Sequence, residues 1–328
     1  MRKTTPALLS LLLAVSCGRE EVLPARVDVV FEASVPSVRS AVTSHEDDIV
    51  RLDLLAFRAD DGTLDASGHS EGSTRVSASL TGGTAIRWWI VANAPDGALD
   101  GFSDEASFLA GTTLLGHTTD RSMVMRASGS VTPGPSTGTV RAYLDRYACK
   151  VSVGTVSVSF GDAWPDPGEV TLGRIVLVNA RGDVPWSGTP SPDGTWYNRA
   201  GLDASLPSGV ADLLVWEGGH AAVGSSPVTV GASLYAMPNP VSNGVHSGNS
   251  SSWSPRSTRV ALELLLSGTS HWYPVDLPAM ECNRHYVLDM TVRGPGSGSP
   301  DKPVDREAVL FSTSVKPWGT QYTISEDT

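Results

Sequence analysis

Apolar and polar residues alternate over many short stretches of this chain, and the alternation predicts β-strands. In the first of these stretches, the apolar residues at every second position are Val27, Val29, Phe31, Ala33 and Val35. A period of two places these side chains on one face, so the stretch predicts a strand with one buried side. Pro36 follows directly and ends the strand, because proline has no amide hydrogen for a ladder.

The same alternation returns along the rest of the sequence. Further predicted strands cover residues 49–57, 74–80, 85–92, 123–125, 139–144, 150–160, 170–179, 228–236, 258–266, 286–293, 308–315 and, more weakly, 321–325. The best helix candidate is short, at residues 104–109, with Ser103 as the predicted N-cap. Many short strands separated by Gly- and Pro-containing turns predict an all-β fold built from β-sandwiches.

Chain length and a change of composition predict two domains. The chain has 328 residues, enough for two domains of roughly 100–200 residues each. A stretch rich in Pro, Gly, Ser and Thr at residues 131–138 provides a boundary. We therefore expect two β-sandwich domains in tandem, at residues 40–138 and 139–328.

The N-terminus has the pattern of an export signal. Two basic residues, Arg2 and Lys3, precede an apolar run at residues 7–15, which is shorter than the roughly 20 residues of a membrane span. The sequence LAVSC at residues 13–17 resembles a bacterial lipobox, in which Cys17 is lipidated and becomes the mature N-terminus. Residues 1–17 are then a signal removed by lipoprotein signal peptidase, and acyl chains hold the chain at the outer membrane. The alternative is an ordinary secretory signal with an incidental cysteine.

The charge composition argues against one class of binding partner. The formal net charge is −11, and phosphate binding needs clustered Lys and Arg, so we expect no nucleic-acid partner. After Cys17 the remaining cysteines are Cys149 and Cys282. Cys149 lies in a predicted strand, which favours a buried free thiol, and whether it pairs with Cys282 stays open.

The sequence contains one motif typical of an enzyme. Residues 68–72 read GHSEG, which fits the G-x-S-x-G elbow of serine hydrolases with Ser70 as nucleophile. That elbow needs a helix after the serine, whereas residues 73–80 alternate as a strand. We therefore expect Ser70 to lie in a hairpin loop without a catalytic role. No metal-ligand motif stands out, so we expect neither a metal site nor a cofactor.

Several short sequences, in order along the chain, carry a family resemblance. They are VRSAV at 38–42, IVRLDLLAF at 49–57, WIVANAP at 89–95, RYACKV at 146–151, IVLVN at 175–179, LYAMPNP at 234–240, WYPV at 272–275, NRHY at 283–286, GPG at 294–296, PDKP at 300–303 and VKPW at 315–318. Together they resemble the fimbrillin family, the type V pilins that Gram-negative anaerobes of gut and mouth make as surface lipoproteins.

The resemblance implies a fold and an assembly mechanism. Family members have two transthyretin-like β-sandwich domains. A trypsin-like or gingipain-like protease cuts after a basic residue, the first strand leaves with the lipid anchor, and the C-terminal strand of a neighbouring subunit fills the groove. A removed strand exposes unpaired backbone groups, and a donated strand pairs with them.

The resemblance implies a cleavage site, a leaving strand and a donor strand in this chain. The cut falls between Arg39 and Ser40, so residues 18–39 form a propeptide. The leaving strand carries Val27, Val29, Phe31, Ala33 and Val35. The donor strand carries Val309, Phe311, Thr313 and Val315. Alternatively, residues 321–325, with Tyr322 and Ile324, form the donor.

The function implied is structural and non-enzymatic. The chain is expected to be a stalk, tip or accessory subunit of a type V fimbria that contributes to adhesion. Its partners are then other pilin subunits, joined by strand addition, and it moves from the outer membrane to the fimbrium. The alternative is a non-polymerising surface lipoprotein whose loops bind a glycan or a host protein.

Overall fold

The computed structural model describes residues 25–36, 45–119, 121–162, 164, 167–243, 253–305 and 307–319. Within these ranges the regular secondary structure is mainly β-strand. The α-helices described are short: α1 (Glu105–Ala110) and α2 (Ala211–Leu214). Single 3-10 turns cover His45–Asp47 and Leu115–His117. The prediction of an all-β sandwich fold is confirmed.

Strands of the first half form two main sheets. The strands are β1 (Arg26–Ser34), β2 (Arg51–Arg58), β3 (Leu64–Glu71), β4 (Arg75–Thr81), β5 (Ile86–Ala92), β6 (Thr112–Leu114), β7 (Met125–Val131), β8 (Val140–Tyr143) and β9 (Asp145–Arg146). One sheet has the order β4-β1-β8, and the other has the order β3-β2-β5-β7-β9. Phe31 of β1 meets Trp88 of β5 edge-on, with ring centroids 5.5 Å apart, so the two sheets face each other across an apolar core.

Strands of the second half form two further main sheets. The strands are β10 (Cys149–Val158), β11 (Val170–Val178), β12 (Ala180–Arg181), β13 (Asp183–Pro185), β14 (Trp196–Tyr197), β15 (Val215–Glu217), β16 (Val228–Thr229), β17 (Ser233–Ala236), β18 (Arg259–Leu266), β19 (Thr269–Asp276), β20 (Arg284–Val292) and β21 (Val309–Pro317). The orders are β16-β10-β20-β21, with β17 also paired to β10, and β15-β11-β18-β19. β10 and β20 run parallel, whereas β20 and β21 run antiparallel.

Short strands and side chains join the two halves. β6 of the first half pairs antiparallel with β13 of the second half, while β12 and β14 pair with each other within the second half. The Tyr147 hydroxyl donates to the Trp186 carbonyl oxygen at 2.7 Å, and the ring of Trp186 stacks on Phe108 with centroids 6.3 Å apart. Apolar side chains from both halves belong to one continuous buried cluster.

The stretch at residues 131–138 does not separate the two groups of sheets. It leads from β7 to β8, and β8 pairs in parallel with β1, from Phe31–Val140 to Ser34–Tyr143. A Pro- and Gly-rich connection also joins strands of two facing sheets, so composition alone placed the boundary too early. The first group of sheets ends with β9 at Arg146, and the second begins with β10 at Cys149.

Two local predictions need correction. The N-cap of α1 is Asp104, whose carboxylate accepts from the Ser107 amide at 2.8 Å, and the Ser103 hydroxyl donates to that same carboxylate. The strand predicted at residues 123–125 begins only at Met125 and runs on to Val131. Its second half, Ser128–Gly129–Ser130, has no apolar alternation, and a Cβ at Gly129 would collide with the Trp88 ring.

Candidate functional site: the first and last strands

β1 is the central strand of its sheet. Its antiparallel neighbour β4 pairs with it from Arg26–Thr81 to Glu32–Arg75. Its parallel neighbour β8 lies on the other side, and β4 and β8 contact β1 rather than each other. Without β1, the two remaining strands would each present a row of unpaired backbone groups to the space between them.

The inward face of β1 is deeply buried. Val29, Phe31 and Ala33 are exposed by only 1%, 0% and 2%. Val27 and Val35, at the two ends, are half-buried and pack against the same core. Burial of a Val or Phe side chain stabilises by about 1.5–3 kcal/mol, so this strand is an integral part of the first core.

Polar contacts fix the two ends of β1. Arg26 donates to the Thr81 hydroxyl at 2.9 Å and forms an ion pair with Asp65 at 3.3 Å. Burial alone would raise the pKa of Asp65, but hydrogen bonds from Thr81 and the charge of Arg26 lower it below its usual value. At the other end, Glu32 forms an exposed ion pair with Arg75 at 2.8 Å.

β21 is an edge strand with an incompletely covered apolar face. It pairs with β20 from Val292–Val309 to Arg284–Pro317, and no strand in the described part of the chain pairs with its outer edge. Phe311 and Val315 are about half exposed, at 51% and 50%. Phe311 lies beside a cavity of about 560 Å³ that is also lined by Pro274 and Val304. Its own subunit therefore leaves much of this strand's apolar surface in solvent.

The end of β21 is held by a buried polar cluster, which we call the Glu46 junction: Glu46, Arg146, Lys150, Tyr235 and Trp318. The Glu46 carboxylate accepts from Lys150 at 2.6 Å, from the Tyr235 hydroxyl at 2.5 Å and from the Trp318 indole at 3.0 Å. The Arg146 guanidinium donates to the Trp318 carbonyl oxygen at 2.9 Å, and its carbon lies 4.6 Å from the centroid of the Trp318 ring.

The Glu46 junction keeps its carboxylate charged. Burial alone would raise the pKa of Glu46, but the hydrogen bonds from Lys150, Tyr235 and Trp318 lower it below its usual value. Burial also lowers the pKa of Arg146, against the opposing charges of Asp47 and Glu46. A paired charge in a buried site is costly to separate, so the junction resists opening.

The ends of β1 and β21 meet beside this junction. Gly319 has a φ of +109°, and a Cβ there would collide with the Pro36 carbonyl oxygen. Only glycine permits so close an approach of the two chain segments. The segment just after β21 therefore lies against the segment just after β1.

Some predicted site residues lie outside the described part of the chain. These are Cys17, Arg39, Ser40 and the alternative donor residues Tyr322 and Ile324. The predicted leaving-strand residues all lie in or directly after β1, and the predicted donor residues all lie in β21. Their roles in assembly stay predictions.

Ser70 lies in a strand rather than in the predicted hairpin loop. It belongs to β3, where it pairs with Leu52 of β2, and its hydroxyl donates to the Arg75 carbonyl oxygen at 2.7 Å. The prediction of a loop was wrong because β3 is mostly polar and lacks apolar alternation. The strand continues past Ser70 to Glu71, and the next element is the strand β4, so the sharp strand-to-helix turn of a nucleophile elbow does not form here.

The two described cysteines are free thiols. Cys149 is buried, and its Sγ lies 3.0 Å from the Glu281 carbonyl oxygen, while Cys282 is half-buried. Burial raises the pKa of the Cys149 thiol and raises that of Cys282 to about 11. Both are therefore protonated and unreactive at neutral pH.

The described residues contain no group of three or more His, Cys, Asp or Glu side chains placed to hold a metal ion. In the same part of the chain, none of the helices has the length and apolar character needed to cross a bilayer.

The sequence predictions missed the Glu46 junction. Residues 45–48 read HEDD, a run that is usually a solvated loop, and the partners of Glu46 lie 104, 189 and 272 residues away. The isolated Trp318 near the C-terminus was the one available signal, because a large aromatic side chain seldom stays exposed.

Several solved protein structures resemble this fold. No protein-family model and no curated protein matches this sequence. Among solved structures, a candidate cell adhesion protein of Bacteroides eggerthii is similar, with a TM-score of 0.63 at 16% identity, over 90% of this chain and 97% of that chain. A fimbrilin of Porphyromonas gingivalis is similar with a TM-score of 0.59 at 15% identity, over 92% of this chain and 100% of that chain.

A tip fimbrial protein of Porphyromonas gingivalis, truncated at its C-terminus, is also similar. The TM-score is 0.53 at 16% identity, over 89% of this chain and 100% of that chain. The similarities extend over nearly the whole of each structure, so they concern the complete arrangement of sheets. The resemblance drawn from the sequence is thus confirmed at the level of the fold: this chain has the fimbrillin-like fold.

Proposed function

We propose that this chain is a non-enzymatic structural subunit of a surface fimbria, assembled by strand addition after proteolytic removal of β1. The observation that carries the proposal is the position of β1. It is the central strand of the β4-β1-β8 sheet, yet it is joined to the rest of the chain through Pro36 and residues 37–44, where the predicted cleavage site lies. The similarity to a fimbrilin and to a tip fimbrial protein supports this proposal.

Loss of β1 would create a specific acceptor. The exposed groove would have the edge of β4 on one side, the edge of β8 on the other, and an apolar floor that includes Trp88. Unpaired backbone groups and uncovered apolar surface are both unfavourable in water, and one added strand removes both penalties. The cleaved subunit is therefore driven to bind a strand.

β21 is the proposed donor. Val309, Phe311 and Val315 lie on one face, as a strand in that groove requires, and Phe311 and Val315 are about half exposed in their own subunit. A strand that is poorly covered loses less when it detaches than a core strand would lose. The Glu46 junction would then have to release Trp318 as β21 leaves.

The proposed maturation begins at the membrane. Lipoprotein signal peptidase exposes Cys17 for lipidation, and the lipid anchors the chain at the outer membrane surface. A trypsin-like or gingipain-like protease then cuts between Arg39 and Ser40. Residues 18–39 leave with β1 and the anchor, and the remaining chain enters the fimbrium as two tandem sandwich domains.

Controlled proteolysis tests this function. Limited trypsin treatment of the purified precursor should give a product that begins at Ser40, identified by N-terminal sequencing, and that forms SDS-resistant ladders. The Arg39→Ala variant should stay monomeric under the same treatment. Cleaved wild type that remains a monomer, or a variant that polymerises equally well, would overturn the proposal.

A further inference from the structure

Two tryptophans and two arginines form a cluster in the second half of the chain. The ring of Trp253 meets that of Trp196 edge-on, with ring centroids 5.4 Å apart. The guanidinium carbons of Arg199 and Arg256 each lie 5.6 Å from the centroid of the Trp253 ring. We call these four residues the Trp253 cluster. Two cations therefore lie against one indole.

Neither guanidinium has a carboxylate partner in the described part of the chain. Arg199 is exposed, and its side chain makes no hydrogen bond or ion pair there. Arg256 is 1% exposed; its Nε donates to the Ser254 carbonyl oxygen at 3.0 Å, whereas its Nη1 has no hydrogen-bond partner. Asp203 follows Arg199 closely in sequence, but its carboxylate accepts from the Asn198 main-chain amide at 2.7 Å.

The missing counter-charge distinguishes Arg256 from the other buried arginines. Arg146, Arg181 and Arg259 are 1%, 2% and 4% exposed, and each forms an ion pair with a carboxylate. A buried charge without an opposite charge is unfavourable, and two neighbouring cations also repel each other. The Trp253 ring offsets part of this cost through its π-electrons. An anion bound beside the cluster would supply the missing opposite charge.

One buried asparagine fixes the positions of the exposed arginine and the indole. The Asn179 side-chain oxygen accepts from the Trp253 indole at 2.7 Å and from the Ala200 main-chain amide at 3.4 Å. The Asn179 main-chain amide donates to the Asn198 carbonyl oxygen at 3.0 Å. Both residues that flank Arg199 are therefore tied to the same side chain that holds Trp253. A site whose backbone is fixed in advance loses less entropy when it binds a ligand.

We propose that the Trp253 cluster binds an acidic sugar through its carboxylate group. The exposed Arg199 guanidinium donates to both carboxylate oxygens in parallel, the geometry in which arginine binds a carboxylate most specifically. Trp253 is half-buried, and the part of its ring that reaches solvent packs against the apolar C–H face of the sugar. Arg256 stays buried and adds a second positive charge beside the same indole.

The residues of the cluster favour this ligand over other anions. Inorganic phosphate or sulfate would use the arginines but leave the indole uncovered. A nucleic acid or a strongly acidic peptide carries many charges, which the net charge of −11 repels. A carboxylate-bearing sugar combines one anionic group with one apolar ring face, which matches one exposed arginine beside one indole. Uronic acids and sialic acids share this chemistry.

The proposed binding is independent of strand addition. No residue of the Trp253 cluster belongs to β1, β4, β8 or β21. The site is therefore present in the uncleaved precursor, and its binding can be measured without polymerisation.

Calorimetric titration of the purified precursor with matched sugars tests the proposal. Trigalacturonic acid is compared with its neutral methyl ester, and 3′-sialyllactose is compared with lactose, so that the uronic and sialic acids are tested separately. A hexaglutamate peptide tests for a general preference for carboxylates. The variants are Arg199→Gln, Trp253→Phe and, as a matched control, Arg293→Gln. Arg293 is also exposed and forms no ion pair in the described part of the chain.

At least one acidic sugar should bind, and its neutral counterpart should bind about tenfold more weakly or less, because a charge-assisted hydrogen bond is lost. Arg199→Gln should weaken binding about tenfold or more, and Trp253→Phe should weaken it by a smaller factor. Arg293→Gln should change the affinity less than about twofold, since a distant exposed charge is screened. Thermal unfolding checks that each variant is folded.

Three results would overturn the proposal. They are equal affinity for acidic and neutral sugars or no binding of either acid, unchanged affinity in Arg199→Gln, and tighter binding of hexaglutamate than of the sugars. Binding of the uronic or the sialic probe alone would support the proposal and identify the kind of sugar. Each of these results leaves the proposed fimbrial function intact, because the precursor is not cleaved in the experiment.

Discussion

β1 and β21 have nearly the same inward-facing side chains and opposite structural roles in one subunit. β1 is the middle strand of its sheet and buries Phe31 completely, whereas β21 is an edge strand and leaves Phe311 half exposed. The difference shows that similar inward patterns are buried to different depths, according to whether the strand is covered by a facing sheet and paired on both edges.

Two factors keep β1 in its place. One is the free energy of burying its inward side chains, and the other is its covalent connection to the rest of the chain. The core of the first half includes the strand between β4 and β8, and in the proposed assembly that strand comes from another chain. Burial of three inward side chains favours β1 by several kcal/mol at about 1.5–3 kcal/mol each. In the proposed assembly, a second strand with a similar pattern competes only after the covalent connection is cut.

The largest expected effect comes from truncating the two phenylalanines in turn. Phe31→Ala should destabilise the uncleaved precursor by about 3–5 kcal/mol, because it leaves a cavity beside Trp88. Phe311→Ala should change the precursor's stability by less than about 1.5 kcal/mol, because half of that ring is already in solvent. Urea unfolding measures both. Equal losses of unfolding free energy in the two variants would mean that the two phenylalanines are equally buried, which would contradict the contrast between β1 and β21.

A smaller effect is expected at the Glu46 junction. Trp318→Phe keeps an aromatic ring beside Arg146 and Tyr235 but removes the indole N–H that Glu46 accepts. One lost hydrogen bond to a buried charge costs about 1.5–3 kcal/mol. Amide hydrogen exchange across β21 should accelerate, while exchange across β1 should not. Unchanged exchange in β21 would show that the junction does not hold that strand.

The smallest effect is a response to acid. Burial, together with the charges of Lys150 and Lys316, lowers the pKa of His285 to about 4, and Glu46 acts weakly in the opposite sense. His285 also lies opposite Lys316 of β21 and 2.9 Å from the Ser152 hydroxyl. A folded pKa below the unfolded value of about 6.5 gives stability that is full above pH 6.5 and is lost as the pH falls toward 4.

Urea midpoints at pH 7 and pH 4.5 measure this response. We expect a loss of about 1–2 kcal/mol from His285, with the solvent screening of a half-buried group taken into account. The His285→Gln variant, which does not titrate, should lose less over the same range. An identical change in stability with pH in wild type and variant would show that His285 does not contribute to the acid response.

Some of this account was available from the sequence. The alternation of Val29, Phe31 and Ala33 and the stop at Pro36 predicted β1, because period-two burial and proline both act locally. The C-terminal strand was predicted for the same reason. Its exposure was not predictable, since exposure depends on which sheet covers it.

Other parts required the three-dimensional structure. β3 escaped prediction because its residues are mostly polar and its position is fixed by pairing with β2. The Glu46 junction escaped prediction because it joins residues from distant parts of the chain around an acidic run. The change of composition at residues 131–138 marked a connection within the first group of sheets, because tight turns have the same composition as linkers.

A cryo-electron microscopy map of the fibre formed by the trypsin-cleaved chain tests the central claim most directly. The account predicts β21 of a neighbouring subunit between β4 and β8, in the place that β1 now occupies. A map in which β1 still occupies that position, or in which another segment fills the groove, would contradict it.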